Sequence, residues 1–123
     1  MVSLFRRAPV LAAFAFAATV SLSASARALQ EPQVVEILAE RFTFTPSEVR
    51  VKANVPVEIR LRSDDTNHGF RIVGTDVNVT IPKRGKGVAT VTFVPSSAGQ
   101  YVFECSHLCG AGHSFMRGTL IAE

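Results

Sequence analysis

From about Val34 onward, apolar and polar residues alternate with a period of two. The run VPVEIRLRS puts Val55, Val57, Ile59 and Leu61 on one face and Glu58, Arg60 and Arg62 on the other. That is the pattern of a strand with one buried side. DVNVTIP alternates through Val77, Val79 and Ile81, GVATVTFVP and GQYVFEC repeat the pattern, and GTLIAE supplies a last short strand. FTFTPSEVRVKANVPV reads as strand, turn at Pro46-Ser47, strand, and a second turn near Ala53-Asn54. Roughly eight such runs, separated by Pro, Gly, Asn and Asp turns, predict an all-β sandwich. The segment SDDTNHGF reads as a loop between two strands, with Asp64 and Asp65 in a solvated turn. After the first segment of the chain there is no amphipathic helical run, internal repeat or low-complexity stretch.

That first segment follows a different pattern. Arg6 and Arg7 precede an apolar run from Ala8 to Val20, and SLSASARA then offers small-residue cleavage sites after Ala26 or Ala28. Basic, apolar, then small-x-small is the order of a secretory signal. The alternative is a retained anchor, but a spanning helix needs about 20 apolar residues, and this run is shorter and fades into serines. The expectation is a signal peptide over residues 1–26 and a single domain over 27–123. About 95 residues can bury a two-sheet core, so the fold need not depend on a metal.

Removing the leader changes the charge balance. Two of the thirteen basic residues, Arg6 and Arg7, go with it, leaving eleven against ten acidic ones. A net charge of +1 gives no reason to expect nucleic acid as a partner. The sequence has no Walker loop, no GxGxxG and no basic-aromatic stripe. Export also makes a disulfide the default reading of two cysteines.

The stretch CSHLCGAGHSFM, residues 105 to 116, strains that default. Beyond the leader the chain has two cysteines, three histidines and one methionine, and five of these six lie in the stretch. The sixth is His68. Thiolate, imidazole and thioether together favour copper; calcium and magnesium require oxygen ligands, and zinc has no use for the methionine. A mononuclear site could be built from His68, Cys109, His113 and Met116. It would leave Cys105 as a spare thiol four residues from a copper thiolate, open to oxidation. Two coppers bridged by Cys105 and Cys109 avoid that problem. His68 and His113 then cap one copper each, and Met116 and a backbone carbonyl complete the shells. Mononuclear copper, a structural disulfide and zinc stay open as alternatives on the residues alone.

C-S-x-x-C-G-x-x-H-x-x-M resembles the CuA loop of cytochrome c oxidase subunit II. FTFTPSEVRV, the His68-Gly-Phe segment, VNVTIP and GQYVFEC are similar to the same family's soluble domain, and HGFRIVGTDVNVTIP is closest in pattern to subunit II of B-type haem-copper oxidases. The resemblance implies a cupredoxin-like Greek-key β-sandwich and a mixed-valence dicopper electron-transfer centre. It also implies that His107, between the cysteines, binds through its backbone carbonyl; the alternative is that its imidazole, a better copper ligand, takes that place. The expected metal set is therefore His68, Cys105, His107, Cys109, His113 and Met116. Gly110 and Gly112 are expected to permit the tight path from Cys109 to His113. Leu108, Ala111 and Phe115 are expected to form either a docking patch or core.

The function expected is an exported or periplasmic relay with no catalytic site of its own. It would pass electrons from a donor such as cytochrome c to a respiratory oxidase or reductase. A membrane-anchored oxidase subunit II is the alternative, with membrane association only if the N-terminal segment is retained. A copper-handling role is disfavoured by the closed ligand set and single methionine. Many subunit II proteins carry glutamate where this chain has His107, which weakens the case for an oxidase subunit of that type but says less about the B-type relatives, in which the position is not glutamate.

Overall fold

The computed structural model of the protein describes residues 31–123, so the leader and its cleavage sites lie outside the described residues. Among the described residues, nine strands form two mixed sheets. One contains β1 (Gln33–Glu40), β2 (Thr43–Thr45), β4 (Val57–Ser63) and β7 (Ala89–Phe93), in the order β2-β1-β4-β7. The other contains β3 (Glu48–Val51), β5 (His68–Ile72), β6 (Asn78–Ile81), β8 (Gly99–Glu104) and β9 (Arg117–Ala122), in the order β3-β9-β8-β5-β6. β1 runs parallel to β4 and β3 parallel to β9, while the remaining pairs are antiparallel. A 3-10 turn at His113–Phe115 is the only helical element among the described residues.

The period-two pattern translates directly into burial. Val57, Ile59 and Leu61 are fully buried, while Arg60 and Arg62 are exposed. Val55 belongs to the preceding turn and is only half-buried. Asn54 takes a left-handed conformation in that turn (φ 62°), which asparagine tolerates better than most residues. Across the sandwich, Phe44 on β2 meets Phe70 on β5 and Phe103 on β8, with ring centroids 5.9 and 5.4 Å apart. Phe70 and Phe103 are 5.1 Å apart. Each ring is at most 2% exposed, so this cluster ties the sheets together through the hydrophobic effect.

One strand departs from the sequence reading. His68 is not in a loop; it is the first residue of β5. His68, Gly69 and Phe70 are all buried, so the stretch lacks the alternation that marks a half-exposed strand. The reason is what packs on its second face. A Cβ on Gly69 would lie 2.2 Å from Ser106 Oγ and 2.5 Å from the His107 nitrogen. Glycine is required there because the loop after β8 lies directly on the backbone of β5.

Candidate metal centre

β8 delivers Cys105 and β9 begins one residue after Met116, so the donor-rich stretch is the connection between two paired strands. Its ends are joined by a hydrogen bond from the Cys105 amide to the Met116 carbonyl, at 3.1 Å. Within it the His113 amide donates to the Gly110 carbonyl at 3.2 Å and the Phe115 amide to Gly112 at 3.0 Å. Gly110 has φ +143°, a conformation open to glycine and strained for other residues. The loop also lies on Phe42: a Cβ on Gly112 would come within 2.4 Å of that ring.

The two cysteines are free thiols, 6% and 5% exposed, with their sulfurs 3.7 Å apart. A disulfide requires about 2.05 Å. Each sulfur has its own imidazole. His68 Nδ1 lies 3.9 Å from Cys105 Sγ, and His113 Nδ1 lies 3.7 Å from Cys109 Sγ. Met116 is completely buried with Sδ 3.9 Å from Cys109 Sγ, and the His107 carbonyl oxygen lies 3.1 Å from Cys105 Sγ. The His107 imidazole is exposed, with Nδ1 3.1 Å from the Leu108 carbonyl oxygen. The structure thus gathers one donor atom from each of the six residues into one cluster.

Two residues that the sequence did not single out hold this cluster in place. Asp65, expected in a solvated turn, instead accepts a hydrogen bond from His68 Nε2 at 2.6 Å. That contact leaves Nδ1 directed at the sulfurs and fixes the ring. Burial acts to raise the Asp65 carboxyl, but hydrogen bonds from the Arg41 amide, His68 and the Thr66 amide outweigh it and bring it down to about 2. Arg41 works at both ends, its amide donating to Asp65 at 2.8 Å and its Nε to the Cys109 carbonyl at 2.9 Å. The DxxH spacing of Asp65 and His68 was the available signal for the first contact. Arg41 lies far away in sequence and left none.

The donor set fits a soft metal. Two sulfurs bound about 2.3 Å from one tetrahedral metal stand about 3.8 Å apart, and a sulfur and an imidazole nitrogen about 3.5 Å. The observed separations of 3.7 to 3.9 Å are close to those values. Without a metal, burial and then the hydrogen bond and charge of Cys105 push the Cys109 thiol up to about 11. A bound cation would reverse that balance by stabilising the thiolate. Mixed sulfur and imidazole donors with a thioether are the preference of copper.

The comparisons with known proteins agree with this geometry. The chain is 33% identical to cytochrome c oxidase subunit 2 of Thermus thermophilus over 89 residues, which is 72% of this chain and 64% of that protein. It thus spans somewhat less than two thirds of that relative. A haem-copper terminal oxidase dimer solved by electron cryomicroscopy contains a similar chain, with TM-score 0.65 and 29% identity, covering 74% of this chain and 65% of that one. The periplasmic domain of cytochrome oxidase subunit II from Bradyrhizobium japonicum shares the fold, with TM-score 0.67 at 15% identity, over 74% of this chain and 83% of that one. The cupredoxin-like domain family matches residues 10–122, and with two mixed sheets holding a sulfur and imidazole cluster at one end, the chain belongs to it.

Proposed function

We propose that this protein is a dinuclear-copper electron-transfer domain of the CuA type, working outside the cytoplasm as a relay to a respiratory oxidase. The observation that carries this reading is the paired arrangement: two buried thiols 3.7 Å apart, each with a separate imidazole. One mononuclear site would need only one of the thiols. His68, Cys105, His107, Cys109, His113 and Met116 would hold two coppers, with the thiolates shared, Met116 giving its thioether and His107 its carbonyl. Such a pair supplies a one-electron carrier whose charge change is spread over both metals.

The protein's own contribution is rigidity. Gly69 N–H donates to Cys105 Sγ at 3.4 Å, Asp65 orients His68, and Arg41 fixes the Cys109 carbonyl. Ligands held this way relax little when charge changes, and small relaxation makes for fast transfer at low driving force. Leu108 and Phe115 are 77% and 83% exposed rather than core, which supports electron entry beside His113. No helix among the described residues is long and apolar enough to cross a membrane. The relatives support an exported or periplasmic site of action. An anchored oxidase subunit is the second reading, favoured by the solved oxidase relative. The N-terminal residue of the purified protein separates the two: Arg27 or Leu29 marks a released domain, Met1 an anchored one.

Copper stoichiometry is the direct test. Reconstituted protein should bind about two coppers per chain and show a paramagnetic spectrum with one electron shared equally by both nuclei. A blue, single-copper spectrum at saturation would overturn the dinuclear reading.

Asp65→Asn provides a separate check on the supporting hydrogen bonds. Substitution of such a partner typically weakens metal binding by about 10–100-fold. We expect a loss in that range by competition with a chelator, with the melting curve of the metal-free protein little changed. Undiminished affinity would show that Asp65 does not matter for holding His68.

A further inference from the structure

We infer that the surface over the metal centre accepts a redox partner whose exposed edge is ringed by carboxylates; this rests on the electron-transfer reading above. The apolar centre of that surface is formed by Leu108 and Phe115, the two most exposed large hydrophobic residues described. Beside it lies a cavity of about 250 Å³ lined by Cys105, His113, Ser114, Arg71, Arg117 and Glu104. The two arginines are 52% and 61% exposed, whereas Glu104 is 13% exposed.

Glu104 explains how the arginines are held. Arg71, Glu104 and Arg117 stand side by side across β5, β8 and β9. Arg71 Nε donates to one Glu104 carboxylate oxygen at 2.7 Å, and Arg117 Nη2 to the other at 2.8 Å. The carboxylate is consumed by these contacts, leaving two guanidiniums against one negative charge, with their remaining N–H groups facing water. Guanidiniums in a fixed arrangement recognise carboxylates through paired hydrogen bonds.

A second cationic segment lies near His68. Lys83, Arg84 and Lys86 are exposed on the connection after β6. That connection is tied to the residues leading into His68, by the Lys83 amide to Asn67 Oδ1 at 2.7 Å and the Arg84 amide to the Asp65 carbonyl at 3.1 Å. The acids beside it are already engaged, Asp65 with His68 and Asp64 with Arg84 at 3.9 Å. An apolar spot flanked by cations steers and orients an oppositely charged partner. A partner ringed by lysines would meet like charge here.

Reduced cytochrome c in its native, lysine-rich form and after succinylation, which turns those lysines into carboxylates, offers one haem with opposite rims. Titration of each into isotope-labelled, metal-free protein reads docking by amide shifts without any need for copper. The succinylated form should bind about tenfold or more tightly at low ionic strength, with shifts at Leu108, Phe115 and Arg117, and its advantage should vanish at high salt. The double variant Arg71→Gln, Arg117→Gln should lose most of that preference. Because those side chains also clasp Glu104, Lys83→Gln with Lys86→Gln provides a variant on the exposed connection, expected to lose part of it. Equal or tighter binding of the native form, or shifts on the outer face of the four-stranded sheet, would overturn the inference. A failed copper count would leave this result standing, and a failed titration would leave the copper count standing.

Discussion

Cys105→Ser and Cys109→Ser should each abolish the shared-electron spectrum and reduce copper from about two per chain to one or fewer. The expectation follows from where the sulfurs sit. Each is near its own imidazole and also 3.7 Å from the other sulfur, so each can serve both metals. A serine hydroxyl is a hard, neutral donor that does not ionise near neutrality, and it cannot bridge soft copper. The substitution should spare the fold. Serine at position 105 keeps a polar acceptor for the Gly69 amide, which now donates to the sulfur at 3.4 Å. A stability change of about 1 kcal/mol is the ordinary scale for such an exchange. Metal analysis, paramagnetic resonance and thermal melting on the same samples separate loss of the centre from loss of the fold. A shared-electron spectrum that survived in Cys105→Ser would show that this sulfur is not a bridge.

The largest expected loss of stability comes from Phe103→Ala. Phe103 is fully buried and contacts both Phe44 and Phe70. Truncation of such a ring typically costs about 3–5 kcal/mol, out of a total of about 5–15 kcal/mol for a domain. The void would not close easily, because β8 is an inner strand between β5 and β9. It would also reach the metal centre. A Cβ on Gly118 would lie 2.3 Å from the Phe103 ring, so the start of β9, just after Met116, rests directly on that ring. Urea unfolding of the metal-free protein should show the midpoint fall without a matching change in slope. A loss below about 1 kcal/mol would mean that the core refills and that the Phe103 ring does not tie the sheets together.

Much of this architecture was legible in the sequence because alternation and turn chemistry are local. The turns at Pro46-Ser47 and Ala53-Asn54 and the buried face of β4 follow from residues within a few positions of one another. β5 was not legible, because its pattern is set by contacts distant in sequence. Gly69 is small on account of Ser106, and His68 is buried on account of Cys105. The donor residues were legible by composition, since almost every soft side chain lies in one stretch. Their orientation was not. Nothing local shows that Asp65 turns inward to His68 or that Arg41 reaches the Cys109 carbonyl. Leu108 and Phe115 were ambiguous for the same reason: an apolar residue beside a metal loop looks the same in sequence whether it faces the core or water.

The position of β9 sets an order of events. It lies between β3 and β8, with Glu48 opposite Thr119 and Tyr101 opposite Leu120. The five-stranded sheet therefore stays split until β9 arrives, and its pairing with β3, so distant in sequence, forms slowly. Until then β8 has an open edge, and Cys105 lacks the Met116 carbonyl that closes its loop. A chain whose β9 has not yet docked thus carries two thiols that the finished sheet would shelter. The thiols therefore have to stay reduced until β9 docks, because only then is the whole donor set assembled.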